Sequence, residues 1–286
     1  LLSPRPDVIL CPTDFSTHSA AGLRVAGGIA RAFGGRVVVL HARRLEAPVY
    51  FTKAQTRALN AQLRRSARAA WGYVNDFATQ NLPEGVSHTI LLLEEDPVEA
   101  VLRVAKELHA GLVVMGTHGR TGLARIRLGS VTESVLREVS IPTLTVGPRI
   151  KPSPRLAKIR RILCPVNYSE LARAAFEYAA GLAEKLGAQV IAVNVLEHGG
   201  HQEGDDPVRK LCDWVSPDLR RRCEVEETIL EGAAAEQIVG EARRSRADLI
   251  VLGAQPRSFA GTILFGSTSE LVIRNALCPV VSVIRK

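Results

Sequence analysis

A chain of 286 residues is long enough for two ordinary domains, each with a core of its own. Apolar residues make up 46 % and charged residues 23 %, and the apolar ones fall in short runs, which excludes both a membrane-spanning helix and a disordered chain. The formal net charge of +8 raises nucleic acid as a partner, but the arginines are scattered over loops, linker and helix faces without interleaved aromatics or a nucleic-acid motif. Solvated surface plus a phosphate ligand accounts for the charge instead.

The opening Leu1-Leu2-Ser3-Pro4-Arg5-Pro6 is short and proline-broken and does not read as a signal peptide. Of the five cysteines, Cys11, Cys164 and Cys278 fall in apolar strand-like runs, while Cys212 and Cys223 do not. An odd number in such contexts points to a reducing compartment, and the expected location is the cytoplasm.

In chain order, the first half predicts strands near 7–12, 36–41, 87–93, 112–116 and 142–146, with helices near 18–33, 53–79, 97–109 and 130–139. Continuous apolar runs alternating with longer helical patterns are the signature of βαβ units around a parallel sheet. The longest helix places Leu59, Leu63, Ala67, Ala70, Trp71, Val74 and Phe77 on one face, a stripe expected to pack in the core.

The pattern then repeats. Ile9-Leu10-Cys11-Pro12-Thr13-Asp14-Phe15-Ser16 returns as Ile162-Leu163-Cys164-Pro165-Val166-Asn167-Tyr168-Ser169. Gly111-Leu112-Val113-Val114-Met115-Gly116 is answered by Asp248-Leu249-Ile250-Val251-Leu252-Gly253, and Gly129-Ser130 by Gly266-Ser267. The chain is a tandem duplication. The proline-rich stretch Gly147 to Arg155 cannot continue a strand or helix and serves as the linker, so the domains are expected at 1–151 and 152–286. The second copy is shorter between equivalent motifs and carries a polar loop from Glu197 to Pro207. His198, His201, Cys212 and Cys223 in that region lack the tight pairs of zinc sites, so no metal is assigned to them.

Two segments carry chemistry, because open parallel sheets bind ligands beyond the carboxyl ends of their strands. One is Thr13-Asp14-Phe15-Ser16 after the first strand. The other is the loop from Gly116 to Ser130, whose Gly116, Gly119 and Gly129 would let backbone amides approach an anion and which also contains three arginines, Arg120 among them. Ser130-Val131-Thr132-Glu133 and Ser267-Thr268-Ser269-Glu270 have the form of capping boxes. Asp14 suits either an N-cap or the sugar hydroxyls and base of a nucleotide.

The spacing G-x2-G-x9-G-S, met by Gly116, Gly119, Gly129 and Ser130, resembles the ATP-binding motif of the universal stress protein family, and the contexts around Cys11-Pro12-Thr13-Asp14, Leu40-His41-Ala42 and Ile141-Pro142 are similar too. The resemblance covers most of both halves. It implies an α/β fold of two tandem domains, each a five-stranded parallel sheet with flanking helices, Rossmann-like and of the adenine nucleotide alpha hydrolase-like type. It implies ATP, accompanied by Mg2+ or Mn2+, with Thr13, Asp14 and the backbone around Ala42 at the nucleoside and Gly116, Gly119, Gly129, Ser130 and Val131 at the phosphates. Met115 and Arg120 are neighbours. Family members pair through the last strand, which implies that the two halves pair with each other inside one chain; a further homodimer is left open.

The second half departs from the motif, with Asn167 for the aspartate and Pro256 for the second glycine. It is expected to bind ATP weakly or not at all. In the first half Glu95 stands where the second has Gly232, and its charge would oppose phosphate if it faced the loop. No Walker A, nucleophile elbow, H-E-x-x-H or C-x-x-C is present, so the expected function is an ATP-binding, nucleotide-dependent regulator of the stress response. Slow ATP hydrolysis, with His118 in the loop, and a non-nucleotide module for lipid, metal or protein are the alternatives.

Overall fold

The computed structural model describes residue 4 and residues 6–44, 69–117, 128–197, 206–254, 257–259, 262–264 and 266–284. In the first half β1 (Val8–Pro12), α1 (Thr17–Phe33), β2 (Arg36–Ala42), helical residues 69–81 (α2), β3 (His88–Leu93), α3 (Pro97–Glu107), β4 (Leu112–Gly116), α4 (Ser130–Glu138) and β5 (Thr143–Val146) follow one another. A 3-10 turn at Pro154–Ala157 leads to the second half. That half comprises β6 (Arg161–Pro165), α5 (Glu170–Leu186), β7 (Gln189–Leu196), α6 (Pro207–Trp214), α7 (Pro217–Arg222) and β8 (Val225–Glu231). It continues with α8 (Ala234–Arg244), β9 (Leu249–Gly253), the small hairpin β10 (Arg257–Phe259) and β11 (Thr262–Leu264), α9 (Ser267–Asn275) and β12 (Val280–Val283).

The long strands form one ten-stranded sheet in the order β3-β2-β1-β4-β5-β12-β9-β6-β7-β8. Within each half all pairs of this sheet are parallel; the join between β5 and β12 is antiparallel, as is the separate β10–β11 hairpin. There Val280 pairs with Thr145, Val281 with Leu144 and Ser282 with Thr143. Leu144 therefore faces its own counterpart in the repeat, and an approximate two-fold axis passes through that pair. The edges that two separate domains would expose are consumed against each other.

The strands are apolar at nearly every position because both faces are covered. Their alternation divides the core: Ile9, Cys11, Val37, Val39, Leu112 and Val114 face α1, while Leu10, Val38, Leu40, Val113 and Met115 face α3 and α4. The first layer runs across both halves, joining Ile29 of α1 to Phe176 and Leu182 of α5. Each fully buried Leu, Ile or Phe contributes about 1.5–3 kcal/mol.

Helix α1 is capped by Ser16, whose side chain accepts from the Ser19 amide, and ends at Gly34 with φ 67°. Ser169 and Gly187 do the same for α5. Two further glycines are demanded by close approach. A Cβ on Gly28 of α1 would lie 2.2 Å from the Ala157 carbonyl oxygen, and one on Gly181 of α5 would lie 2.4 Å from Pro4 Cδ. These positions are equivalent in the repeat, as are Ala157 and Pro4. The segment entering each half thus rests on the other half's first helix.

On α2 the expected stripe holds at Val74 and Phe77, with Ala70 half-buried, and departs at Trp71. Val74 and Ala78 are buried and Phe77 packs against the core, but Trp71 is 50 % exposed, and Asn81, which donates to the Phe77 carbonyl, is buried instead. Trp71, three residues before Val74, is on the same side but stands near the start of the described part of the helix; Leu59, Leu63 and Ala67 lie outside the described residues. In the second half α6 and α7, which the sequence pattern did not announce, occupy the place of α2. Trp214 of α6 packs on Tyr168 and Phe176, with the Arg173 guanidinium 3.8 Å over its ring.

Burial pushes the Cys278 thiol up to about 12 and raises those of Cys11 and Cys164 further, while Cys212 and Cys223 are half-buried. Burial raises the Cys223 thiol as well, so, because the thiolate is the nucleophile, alkylation of the native protein at neutral pH is expected to modify Cys212 first, Cys223 more slowly and the three buried thiols least. Mass spectrometry finding Cys11 or Cys164 labelled at a comparable rate would contradict this packing.

Candidate functional site

A cavity of about 320 Å3 opens beyond the carboxyl ends of β1, β2 and β4, closed on one side by the start of α4 and by Pro97 and Val101 of α3. Its wall brings together Thr13, Asp14, Ala42, Met115, Gly116, Gly129, Ser130 and Val131 from distant parts of the sequence. Gly119, Arg120 and His118 lie outside the described residues.

The turn after β1 is held by its own side chains. Phe15 sits at φ 63°, a region that bulky residues rarely occupy, and Tyr168 repeats this at 61°. In the first half the Phe15 amide donates to Thr13 Oγ1 at 3.1 Å, and the ring is packed by His41, Tyr73 and Phe77. Thr13, 7 % exposed, donates through the same hydroxyl to Ser19 Oγ at 3.1 Å. Asp14 Oδ1 accepts from the Ser16 amide at 3.0 Å; Ser16, not Asp14, is the N-cap of α1. The carboxylate is thus oriented by the turn and presented at the cavity wall.

His41 contributes a tie that the sequence motif contained without assigning a role. Its Nδ1 lies 2.8 Å from the Thr13 carbonyl oxygen. A carbonyl only accepts, so Nδ1 carries the proton, and in the neutral ring Nε2 is left as an acceptor. The β1 ladder ends at Pro12 and Leu40, whereas β2 continues against β3 to the pair of Ala42 with Leu93. The edge of Ala42 on the β1 side therefore lies beyond the ladder, at the cavity.

The glycine loop is tied at both ends. The Gly129 amide donates to the Thr117 carbonyl at 2.7 Å, the Thr117 amide to Val146 at 2.9 Å, and Thr132 Oγ1 to the Gly116 carbonyl at 2.7 Å. Gly116 has a reason other than ligand access: a Cβ there would lie 2.8 Å from His18 Cβ, and at Gly253 one would lie 2.6 Å from Leu171 Cγ. These glycines let α1 and α5 approach the strand ends.

The expected capping boxes do not form. Gly129 occupies the N-cap in extended conformation, φ −60° and ψ 143°, and Ser130 is the first helical residue; Gly266 and Ser267 repeat this. Glu133 and Glu270, freed from the box, pair with Arg137 and Arg274 one turn on. With no side chain at the N-cap, the amides of the first turn of α4 are left to another acceptor. Glu95 does not oppose one. It pairs with Arg103 at 2.5 Å and lies outside the cavity wall.

In the second half Asn167 Oδ1 accepts from the Ser169 amide at 3.2 Å, so the turn survives the loss of charge; Pro256 lies outside the described residues. Among the described residues no three His, Cys, Asp or Glu side chains gather as a metal site, and no helix is long and apolar enough to cross a membrane. His198 and His201 are not among them.

The model of the universal stress protein family matches this chain twice, at residues 6–147 and 158–283. A universal stress protein of Thermus aquaticus is 33 % identical over 138 residues, covering 48 % of this chain and 96 % of that one. Another from Methanocaldococcus jannaschii is 28 % identical over 141 residues, 43 % of this chain and 81 % of its own length. The crystal structure of a universal stress protein from Archaeoglobus fulgidus superposes with a TM-score of 0.70 at 21 % identity, covering 98 % of this chain and 99 % of that one, which is a likeness of fold.

Proposed function

The chain belongs to the universal stress protein family, and from that premise we propose that it is an ATP-binding, nucleotide-dependent regulator of the stress response that holds ATP mainly in its first half. The observation that carries this reading is the single cavity wall that joins an oriented carboxylate, an apolar slot and an open helix start. Leu40, Ala42, Val101 and Met115 offer a surface for the flat base, and Asp14 is placed for sugar hydroxyls. The first-turn amides of α4, with the helix dipole behind them, suit the phosphates. A volume of about 320 Å3 is within the range of small-molecule sites.

In this reading Gly119 and Arg120 belong to the phosphate loop by their place in the motif. Mg2+ or Mn2+ rides on the phosphates, whose oxygens are its natural ligands. The five free cysteines fit a reducing, cytoplasmic setting.

The test is calorimetric titration of the purified protein with ATP. One equivalent is expected to bind, and Gly119→Pro, which copies Pro256 of the second half, is expected to weaken it at least 10-fold through the loss of one amide donor to a charged group. Equal affinity of the two proteins would remove the loop from the site. Fast turnover of bound ATP would turn the reading toward an enzyme.

A further inference from the structure

Asp14 is held on both flanks by one residue. The peptide that leads into it carries the Thr13 carbonyl, whose oxygen accepts from His41 Nδ1 at 2.8 Å. The residue that follows, Phe15, keeps φ 63°, and its ring centroid stands 4.6 Å from that of His41. A peptide unit is planar, so fixing the Thr13 carbonyl fixes the Asp14 amide as well. A bulky residue in the left-handed region persists only where its surroundings hold it there. The His41 side chain supplies one hold before Asp14 and one after it, and the bond from the Ser16 amide at 3.0 Å then sets the carboxylate itself.

The same side chain closes the ladder. Beyond the pair of Pro12 with Leu40, the Thr13 amide still donates to the Leu40 carbonyl at 2.8 Å. In a continued parallel ladder the Ala42 amide would donate next, to the Thr13 carbonyl. His41 Nδ1 takes that place, and Ala42 stays in the cavity wall. The second half makes the tie with a different side chain. Asn194 Nδ2 donates to the Val166 carbonyl at 2.7 Å, and Tyr168 keeps φ 61° with Trp214 packed on its ring at 6.2 Å. The tie has outlasted a change of residue in the repeat, so a donor is what the turn requires at this position, and an amide suffices.

We propose that His41 is the positioning residue of the nucleoside end of the site: by holding the Thr13 carbonyl and the Phe15 ring it aims the Asp14 carboxylate at the sugar and leaves the Ala42 amide to the ligand. Its effect reaches the ligand through Asp14 and Ala42. The proposal rests on the reading of the first cavity as an ATP site.

The experiment uses the full chain, with ATP and 2′,3′-dideoxy-ATP as calorimetric probes. Wild type is expected to prefer ATP by about 10-fold, because only ATP offers hydroxyls to the carboxylate. His41→Leu, which removes the donor, is expected to bind both probes with the weaker affinity. His41→Asn, which copies Asn194, is expected to restore the preference. In the ligand-free protein, hydrogen exchange at the Phe15 and Ser16 amides is expected to rise about 10-fold in His41→Leu and to return in His41→Asn. A folded His41→Leu protein with wild-type exchange in the turn overturns the proposal. So does one that keeps the preference for ATP, or a His41→Asn protein that behaves as His41→Leu does. If wild type binds no ATP or shows no preference, while exchange follows the two variants as expected, the sugar is not at Asp14 and the reading of the cavity fails; the fastening of the turn by His41 stands.

Discussion

Replacing Ser130 by proline is expected to weaken ATP binding by roughly 10- to 150-fold while leaving the fold intact. Ser130 is the first residue of α4, where proline is tolerated because its missing amide has no partner inside the helix. The preceding Gly129, at ψ 143°, already has the extended conformation that a following proline imposes. The substitution therefore deletes one amide and one hydroxyl from the cavity wall and little else. A hydrogen bond to a charged group contributes about 1.5–3 kcal/mol, which sets the size of the effect. Ser267→Pro is the control, since it occupies the same position on α9 after Gly266 at ψ 140°. It should leave ATP affinity unchanged. Calorimetry on the two variants, with melting curves to check the fold, decides the matter: equal losses, or no loss in Ser130→Pro, would show that the start of α4 does not hold phosphate.

The glycine at position 116 shows where sequence reading stops. The spacing Gly116, Gly119, Gly129 marked a strand end, a loop and a helix start, and β4 and α4 begin and end where that pattern places them. It could not distinguish a glycine that makes room for a ligand from one that makes room for a helix. The Cβ that Gly116 lacks would meet His18, a neighbour that only the crossing of α1 over β4 brings near. The capping boxes failed for a related reason. Ser-x-x-Glu is a local signal, but the bond from the Gly129 amide to Thr117 moves the cap one residue back and leaves Glu133 to Arg137.

The repeat was legible because duplication preserves residues that strands and turns need, such as Cys11-Pro12 and Cys164-Pro165. The replacement of His41 by Asn194 was not, since the two side chains share no pattern. They do share a task, each donating one hydrogen bond from the end of β2 or β7 to the turn after β1 or β6.

Gly28→Ala is expected to destabilise the protein by about 2–3 kcal/mol, although the same change in an isolated helix would stabilise it by about 1 kcal/mol. The opposing term is contact with backbone. The new Cβ would lie 2.2 Å from the Ala157 carbonyl oxygen and 2.7 Å from its carbon, and neither belongs to a flexible side chain that could turn aside. The 3-10 turn that carries Ala157 is itself fixed, capped by Ser153 at 3.3 Å and closed by the Lys158 amide on the Arg155 carbonyl at 2.9 Å. Either the turn or α1 must move, and α1 is packed into the core layer that crosses both halves. Gly181→Ala tests the equivalent contact, where the neighbours are side-chain atoms, Pro4 Cδ at 2.4 Å and Cγ at 2.7 Å, and not backbone. Its cost should be smaller, about 1 kcal/mol. At roughly 2–4 °C per kcal/mol for a protein of this size, Gly28→Ala should melt about 5–10 °C below wild type and Gly181→Ala in between. A Gly28→Ala protein that melts at or above wild type would mean that the linker does not rest on α1, and the two halves would then be held by the β5–β12 seam without the reciprocal contact of their entering segments.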